Sequence, residues 1–208
     1  MSDTSTAVAH HDEHRDDAGA KLGMWLFLFT ELLLFGGLFL VYSIYRNLNH
    51  VDFHAGSEHL DIFIGAVNTI VLITSSATVA ISITAIQKKH YRLAKGLLWF
   101  TILAAAVFMV NKYFEWGHKF DIGLYPGGDM FNAMPNGERL FFVLYYFMTG
   151  LHGLHVIIGA IIIGFVIKEI NQGKQTHDNF AFHENAGLYW HLVDLIWIFL
   201  FPLMYLII

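Results

Sequence analysis

The sequence contains no cysteine. That excludes disulfides, thiolate metal sites and cysteine nucleophiles together, and it leaves the redox compartment undetermined. Charge is also scarce. Asp, Glu, Lys and Arg make up 14% of the 208 residues, where soluble domains carry about 25%. No basic stripe of the kind that neutralises phosphates is present, so nucleic acid is not an expected partner; the net charge is a modest −5. The N-terminus has neither the basic start and apolar core of a signal peptide nor the arginine-rich, acid-poor bias of an organelle transit peptide. What the chain has in excess is apolar: 56% hydrophobic residues, with Phe 19, Tyr 9 and Trp 5. This is the composition of a polytopic membrane protein, in which aromatic side chains favour the interfaces.

Five apolar runs each reach the roughly 20 residues that cross a bilayer. They lie near Leu22–Tyr45, Leu60–Ile86, Leu93–Trp116, Leu140–Ile167 and Ala186–Ile208. The expected fold is all-α, a bundle of five transmembrane helices over residues 21–208, preceded by a polar, flexible cytoplasmic tail over residues 1–20. The tail carries His10, His11 and His14 among five acids, a short cluster without the fixed geometry of a metal site. Lys21 and Arg46 bracket the first span. Eight basic residues (Arg15, Lys21, Lys88, Lys89, Arg92, Lys95, Lys168, Lys174) share the N-terminal side and four (Arg46, Lys112, Lys119, Arg139) the other. That asymmetry predicts a cytoplasmic N-terminus and an external C-terminus. The segment from His118 to Glu138 contains Pro126, Gly127, Gly128, Pro135 and Gly137, and reads as a turn-rich external loop without a catalytic signature.

The informative residues are the ionisable ones inside the spans, because a charge at a helix centre costs about 2.5–3.5 kcal/mol on insertion scales. Glu31 is the acid of the first span, roughly 15 Å along the axis from Lys21; it reads either as a proton-handling carboxyl or as a helix-packing one. Gly36 and Gly37 follow, where small residues admit a close helix neighbour. The second span carries Asn68, Thr69, Thr74, Ser75, Ser76, Thr78, Ser82 and Thr84, which predict hydrogen bonds between helices. Lys112 and Glu115, three residues apart on one face, read as an interfacial pair flanked by aromatic anchors. His152 and His155 share a face of the fourth span, thinned by Gly150, Gly153, Gly159 and Gly164. Glu184, His191 and Asp194 share a side of the fifth, where a histidine donating to a carboxylate is the expected arrangement.

Histidines in facing spans raise the question of a bound haem or metal. Bis-histidine ligation needs rings at one level, yet His152 and His155 lie near mid-span while His191 is roughly 10 Å from its end. A two-His-one-carboxylate face meets the same objection. A proton-coupled transporter built on Glu31 and Asp194 would show repeat symmetry or broken helices, and neither stands out. The interior set is therefore expected to act as buried polar structure, proton support, or lipid and helix packing.

In order along the chain, Gly23-Met24, Thr30-Glu31, Leu34-Phe35, Asn68-Thr69 with Leu72 and Ser75, Tyr113-Phe114-Glu115, Thr149-Gly150-Leu151-His152-Gly153-Leu154-His155-Val156 with Gly159, Glu184, and Tyr189-Trp190-His191-Leu192-Val193-Asp194-Leu195-Ile196-Trp197 resemble subunit III of haem-copper oxidases of the cytochrome c oxidase type. The resemblance covers nearly everything after residue 20. It implies a subunit without haem or copper of its own, those cofactors lying in partner subunits, docked on subunit I and holding phospholipid against its helices. The assembled enzyme would reduce oxygen to water and translocate protons, with this chain sustaining proton delivery and Glu31 as the family's noted buried carboxyl. Two departures follow. Seven-helix members carry two further N-terminal helices, so lipid sites built with those helices are not expected, and Leu188 stands where tryptophan is common. The five-helix form is similar to bacterial oxidase subunits, including those of quinol oxidases. It also resembles the subunit III-like proteins associated with nitric oxide reductase.

Overall fold

The computed structural model describes residues 17–177 and 179–207. In chain order they form α1 (Asp17–Leu48), α2 (His50–Glu58), α3 (Ile62–Gln87), α4 (Tyr91–Asp121), α5 (Asp129–Ala133), α6 (Asn136–Asn171) and α7 (Ala181–Tyr205). Helix is the form these segments must take, since hydrocarbon offers no partner for an open N–H or C=O. Five of them, α1, α3, α4, α6 and α7, are long and apolar enough to cross a membrane, and no strand occurs among the described residues. The all-α, five-span reading holds, and the chain is a multi-pass membrane protein. The spanning helices extend beyond the apolar runs at most ends because polar interfacial turns continue the backbone hydrogen bonding. Of the expected tail, residues 1–16 lie outside the described residues, and Asp17–Ala20 already belong to α1.

Local chemistry sets the helix ends. Asp61 accepts from the backbone N–H of Phe63 (2.9 Å) and Ile64 (3.2 Å), satisfying two of the donors that a helix start leaves open. Three turns on left-handed residues close α3, α4 and α6: Lys89, Gly123 and Gly173. The segment expected as a long external loop is shorter than its composition suggests, because α4 runs to Asp121, α5 occupies its middle and α6 starts at Asn136. The polar stretch after α1 folds into α2. Its buried Phe53 wedges between Tyr42 (ring centroids 5.4 Å apart) and Phe141 (5.6 Å).

Helices α3, α4, α6 and α7 form the packed centre. Four of the α3 hydroxyls do what their placement predicts and bond across to α7, whereas Thr74 and Thr84 are exposed and bond only the Ile70 and Ala80 carbonyls of their own helix. Trp197 Nε1 donates to Thr69 Oγ1 (3.0 Å), Trp190 Nε1 donates to Ser75 Oγ (3.0 Å), Ser76 Oγ meets His191 Nδ1 (2.6 Å) and Ser82 Oγ meets His183 Nε2 (2.9 Å). Thr69 and Ser76, like Ser75 and Ser82, are seven residues apart on α3, and their partners are six or seven apart on antiparallel α7, so one face of each stays engaged along its length. Towards α4, Thr78 meets Thr101 (2.9 Å), and Asn111 donates to Asn68 Oδ1 (2.7 Å).

Gly159 admits α7 closely: a Cβ there would stand 2.8 Å from Trp190 Cε3. Gly159→Val is therefore expected to destabilise the bundle by about 1–3 kcal/mol through overpacking, read as a lower melting temperature in detergent; unchanged melting would show the seam to be loose.

Helix α1 is the peripheral element. Only 11% of its most apolar stretch is buried, against 50% for α7. Gly36 and Gly37, expected to admit a close neighbour, meet nothing within 4 Å; Gly36 instead borders a cavity between α1 and α7, beside Leu195, Ile196 and Phe199. Polar tethers hold α1 instead. Lys21 pairs with Glu184 (2.8 Å), Glu31 with His155 (3.0 Å), and Tyr42 OH donates to the Leu203 carbonyl (2.7 Å).

Candidate functional site

The polar side chains of the spans form two groups, one against α1 and one inside the four-helix centre. In the first, His155 Nδ1 lies 2.7 Å from the Leu151 carbonyl oxygen, and Nε2 lies 3.0 Å from Glu31 Oε2. A carbonyl only accepts, so Nδ1 carries a hydrogen and the Glu31–Nε2 contact is left to share one proton. It sits either on the carboxyl, facing a neutral ring, or on the ring, facing a carboxylate. Both forms are neutral overall, which suits a site at membrane depth. Phe35 meets the imidazole edge-on (5.4 Å), and Tyr189 stacks on it (6.4 Å) and donates to the His155 carbonyl (3.2 Å).

His152 diverges from His155. Three residues leave roughly 60° between two side chains on a helix, and the pair straddles the seam between α1 and the packed centre. His152 is fully buried, stacked on Trp197 (5.2 Å) and edge-on to Phe108 (5.5 Å). The expected histidine–carboxylate pairing within α7 is corrected: His191 bonds Ser76, Glu184 reaches Lys21, and Asp194, 2% exposed, bonds neither. The helix spacing put these three on one side, but α3 and α1 supplied nearer partners. A cavity of about 390 Å³ opens between α1, α3 and α7, lined by Lys21, Trp25, Glu184, Asn185, Leu188 and His191 among others.

The cluster that sequence reasoning placed wrongly is at the other end of the centre. Lys112 and Glu115 do pair (2.9 Å), but Lys112 is 6% and Glu115 5% exposed, so they are interior rather than interfacial. Lys119, 3% exposed, adds a second cation at 3.2 Å. Tyr145 OH (2.6 Å) and Tyr205 OH (2.7 Å) both donate to Glu115 Oε1, and Lys112 also donates to the Tyr205 hydroxyl. Lys112 Nζ stands 4.8 Å from the Trp197 ring centroid, a cation–π contact. Two ammonium groups thus converge on one carboxylate, all satisfied by protein. The signal was the i, i+3, i+7 spacing of Lys112, Glu115 and Lys119; only the closure of α6 and α7 over it shows the burial.

No group of three or more His, Asp or Glu able to hold a metal ion occurs among the described residues. Both ring nitrogens of His155 are engaged, and the ring of His152 is packed on Trp197 and Phe108. The molecule is thus a helical membrane subunit whose ionisable groups within the spans face its own helices. The family described as Cytochrome c oxidase subunit III matches residues 1–207. Cytochrome c oxidase subunit 3 of Thermostichus vulcanus is 35% identical, covering 98% of this chain and 94% of that protein. Its counterpart in Synechocystis sp. is 33% identical over 100% of this chain and 84% of its own length. A heme-copper oxidase subunit I+III of Aeropyrum pernix is 29% identical over 90% of this chain and 22% of that longer protein. This chain belongs to the cytochrome c oxidase subunit III family, and it is an accessory component of a haem-copper oxidase, in complex with other oxidase subunits. The nitric oxide reductase reading is not favoured.

Proposed function

We propose that this chain is the non-redox subunit III of an aerobic oxidase, docked on subunit I in the cytoplasmic membrane with its N-terminus cytoplasmic, and that it sustains proton uptake over repeated turnovers. The observation that carries the proton role is the Glu31–His155 pair. It holds one shared proton on the least buried spanning helix, where the carboxyl side chain keeps 15% of its surface open. The fused subunit I+III of Aeropyrum pernix supports subunit I as the neighbour, since one chain carries both parts there. Eight basic residues against four support the orientation. Haem and copper belong to partner subunits in this reading. The cavity beside Lys21, Glu184 and Leu188 suits a phospholipid headgroup, with cation and carboxylate side by side to match a zwitterion.

A mild-detergent pull-down of this chain from its native membranes tests the assignment. Its companion is expected to carry haem and consume oxygen, while the separated chain shows no haem band; a companion that reduces only nitric oxide, or haem on this chain, would overturn it. The proton role has its own variant. Glu31→Gln is expected to leave initial oxygen turnover near wild type and to shorten the active lifetime of the complex. Equal lifetimes with the subunit retained would reduce Glu31 to a packing tether.

A further inference from the structure

Among the described residues, five buried polar atoms without a protein partner belong to three side chains of the packed centre: Nδ1 and Nε2 of His152, both carboxyl oxygens of Asp194, and Nδ2 of Asn68. His152 and Asn68 are fully buried. The other unpartnered buried atoms occur one to a residue.

The register brings the three together in depth. Trp197 faces Thr69 on α3 and His152 on α6, and Asn68 bonds Asn111 of α4, so His152 and Asn68 share a level. Asp194 precedes Trp197 by three residues, a rise of about 4.5 Å, and so lies less than one turn away. Ser76 interacts with Asp194, but its well-formed hydrogen bond is to His191 (2.6 Å), and neither carboxyl oxygen meets a donor at hydrogen-bond geometry.

Native cores leave few buried donors or acceptors unmade. The three side chains mix donors (the Asn68 amide, one imidazole nitrogen) with acceptors (the other nitrogen, the carboxyl oxygens). A cation would leave the donors unmet and an anion the acceptors; water answers both. A buried water makes about three hydrogen bonds, so five atoms match roughly two molecules.

We propose that His152, Asp194 and Asn68 enclose an internal water site in the centre of the bundle. It links the Ser76–His191 pair, which borders the cavity near Lys21, to the Lys112–Glu115 cluster at the opposite end. Together they make a polar file along the interior of the four helices. The site rests on this chain's own residues and stands whether or not Glu31 supports proton uptake.

The test is cryo-electron microscopy of the intact complex, at a resolution that shows ordered water elsewhere in this bundle. Wild type is expected to show density within about 2.7–3.2 Å of the Asp194 carboxyl and of the His152 ring. Asp194→Asn should keep that density, and Asp194→Leu should lose it at the carboxyl position. A density-free site in wild type, a direct Asp194–His152 contact, or density at metal-ligand distances from both would each overturn the proposal. If the leucine variant does not assemble, wild type and Asp194→Asn decide.

Discussion

Glu115→Gln is expected to lower the stability of this subunit by about 3–5 kcal/mol, the cost of removing one partner from a buried ion cluster. Glu115 is the carboxylate that both Lys112 and Lys119 touch, and Tyr145 and Tyr205 donate to the same oxygen. An amide keeps the shape and one acceptor but leaves two ammonium groups together in the interior. The expected result is loss of the subunit from the complex at detergent concentrations or temperatures that wild type withstands. Adding Lys112→Met should recover part of the loss, because it removes the charge left unmatched, and the difference between single and double variants measures the coupling. Equal melting of wild type and Glu115→Gln would show the cluster to be solvated in the assembled state.

Trp197→Ala is expected to cost about 3–5 kcal/mol, as large-to-small changes of aromatic residues in cores do. Trp197 is fully buried and joins all the helices of the centre: it donates to Thr69 of α3, packs on Phe108 (4.9 Å) of α4, stacks on His152 of α6 and lies under Lys112 Nζ. In a bilayer the lost energy is packing and hydrogen bonding rather than transfer from water, since lipid tails are as apolar as the core. Trp197→Phe keeps most of the ring and loses only the donor to Thr69, so it should cost about 1 kcal/mol. Thermal melts of both variants in one detergent separate the two contributions. A phenylalanine variant as damaged as the alanine one would place the weight on the Thr69 bond instead.

Much of the candidate site was legible as residue types and little of it as pairs. Glu31, His152, His155, Glu184, His191 and Asp194 stand out in sequence because ionisable groups are costly in apolar spans, and all six prove to be buried or paired across helices. The pairing was not legible. Helical spacing put His191 and Asp194 on one side of α7, yet it says nothing of what the facing helix presents, and α3 presents Ser76. Lys112 and Glu115 were misjudged for a related reason. They lie near the end of an apolar run beside exposed Tyr113 and Phe114, which reads as an interface, and only the hydroxyls of Tyr145 and Tyr205 arriving from α6 and α7 make the position interior. The short α2 was missed because its nine residues carry no apolar stripe beyond Phe53.

The sequence by itself determined the number of spanning helices, their approximate extent, the polar set they contain and the family they belong to. Those properties follow from local rules: backbone groups in hydrocarbon must be satisfied within each helix, and apolar length must match the bilayer. Tertiary structure alone decided that Glu31 meets His155, that Tyr145 and Tyr205 close over Glu115, and that Trp197 reaches Thr69. Those contacts join residues 30 to 128 positions apart in the chain, and their geometry is set by the register of packed helices, which no single segment encodes.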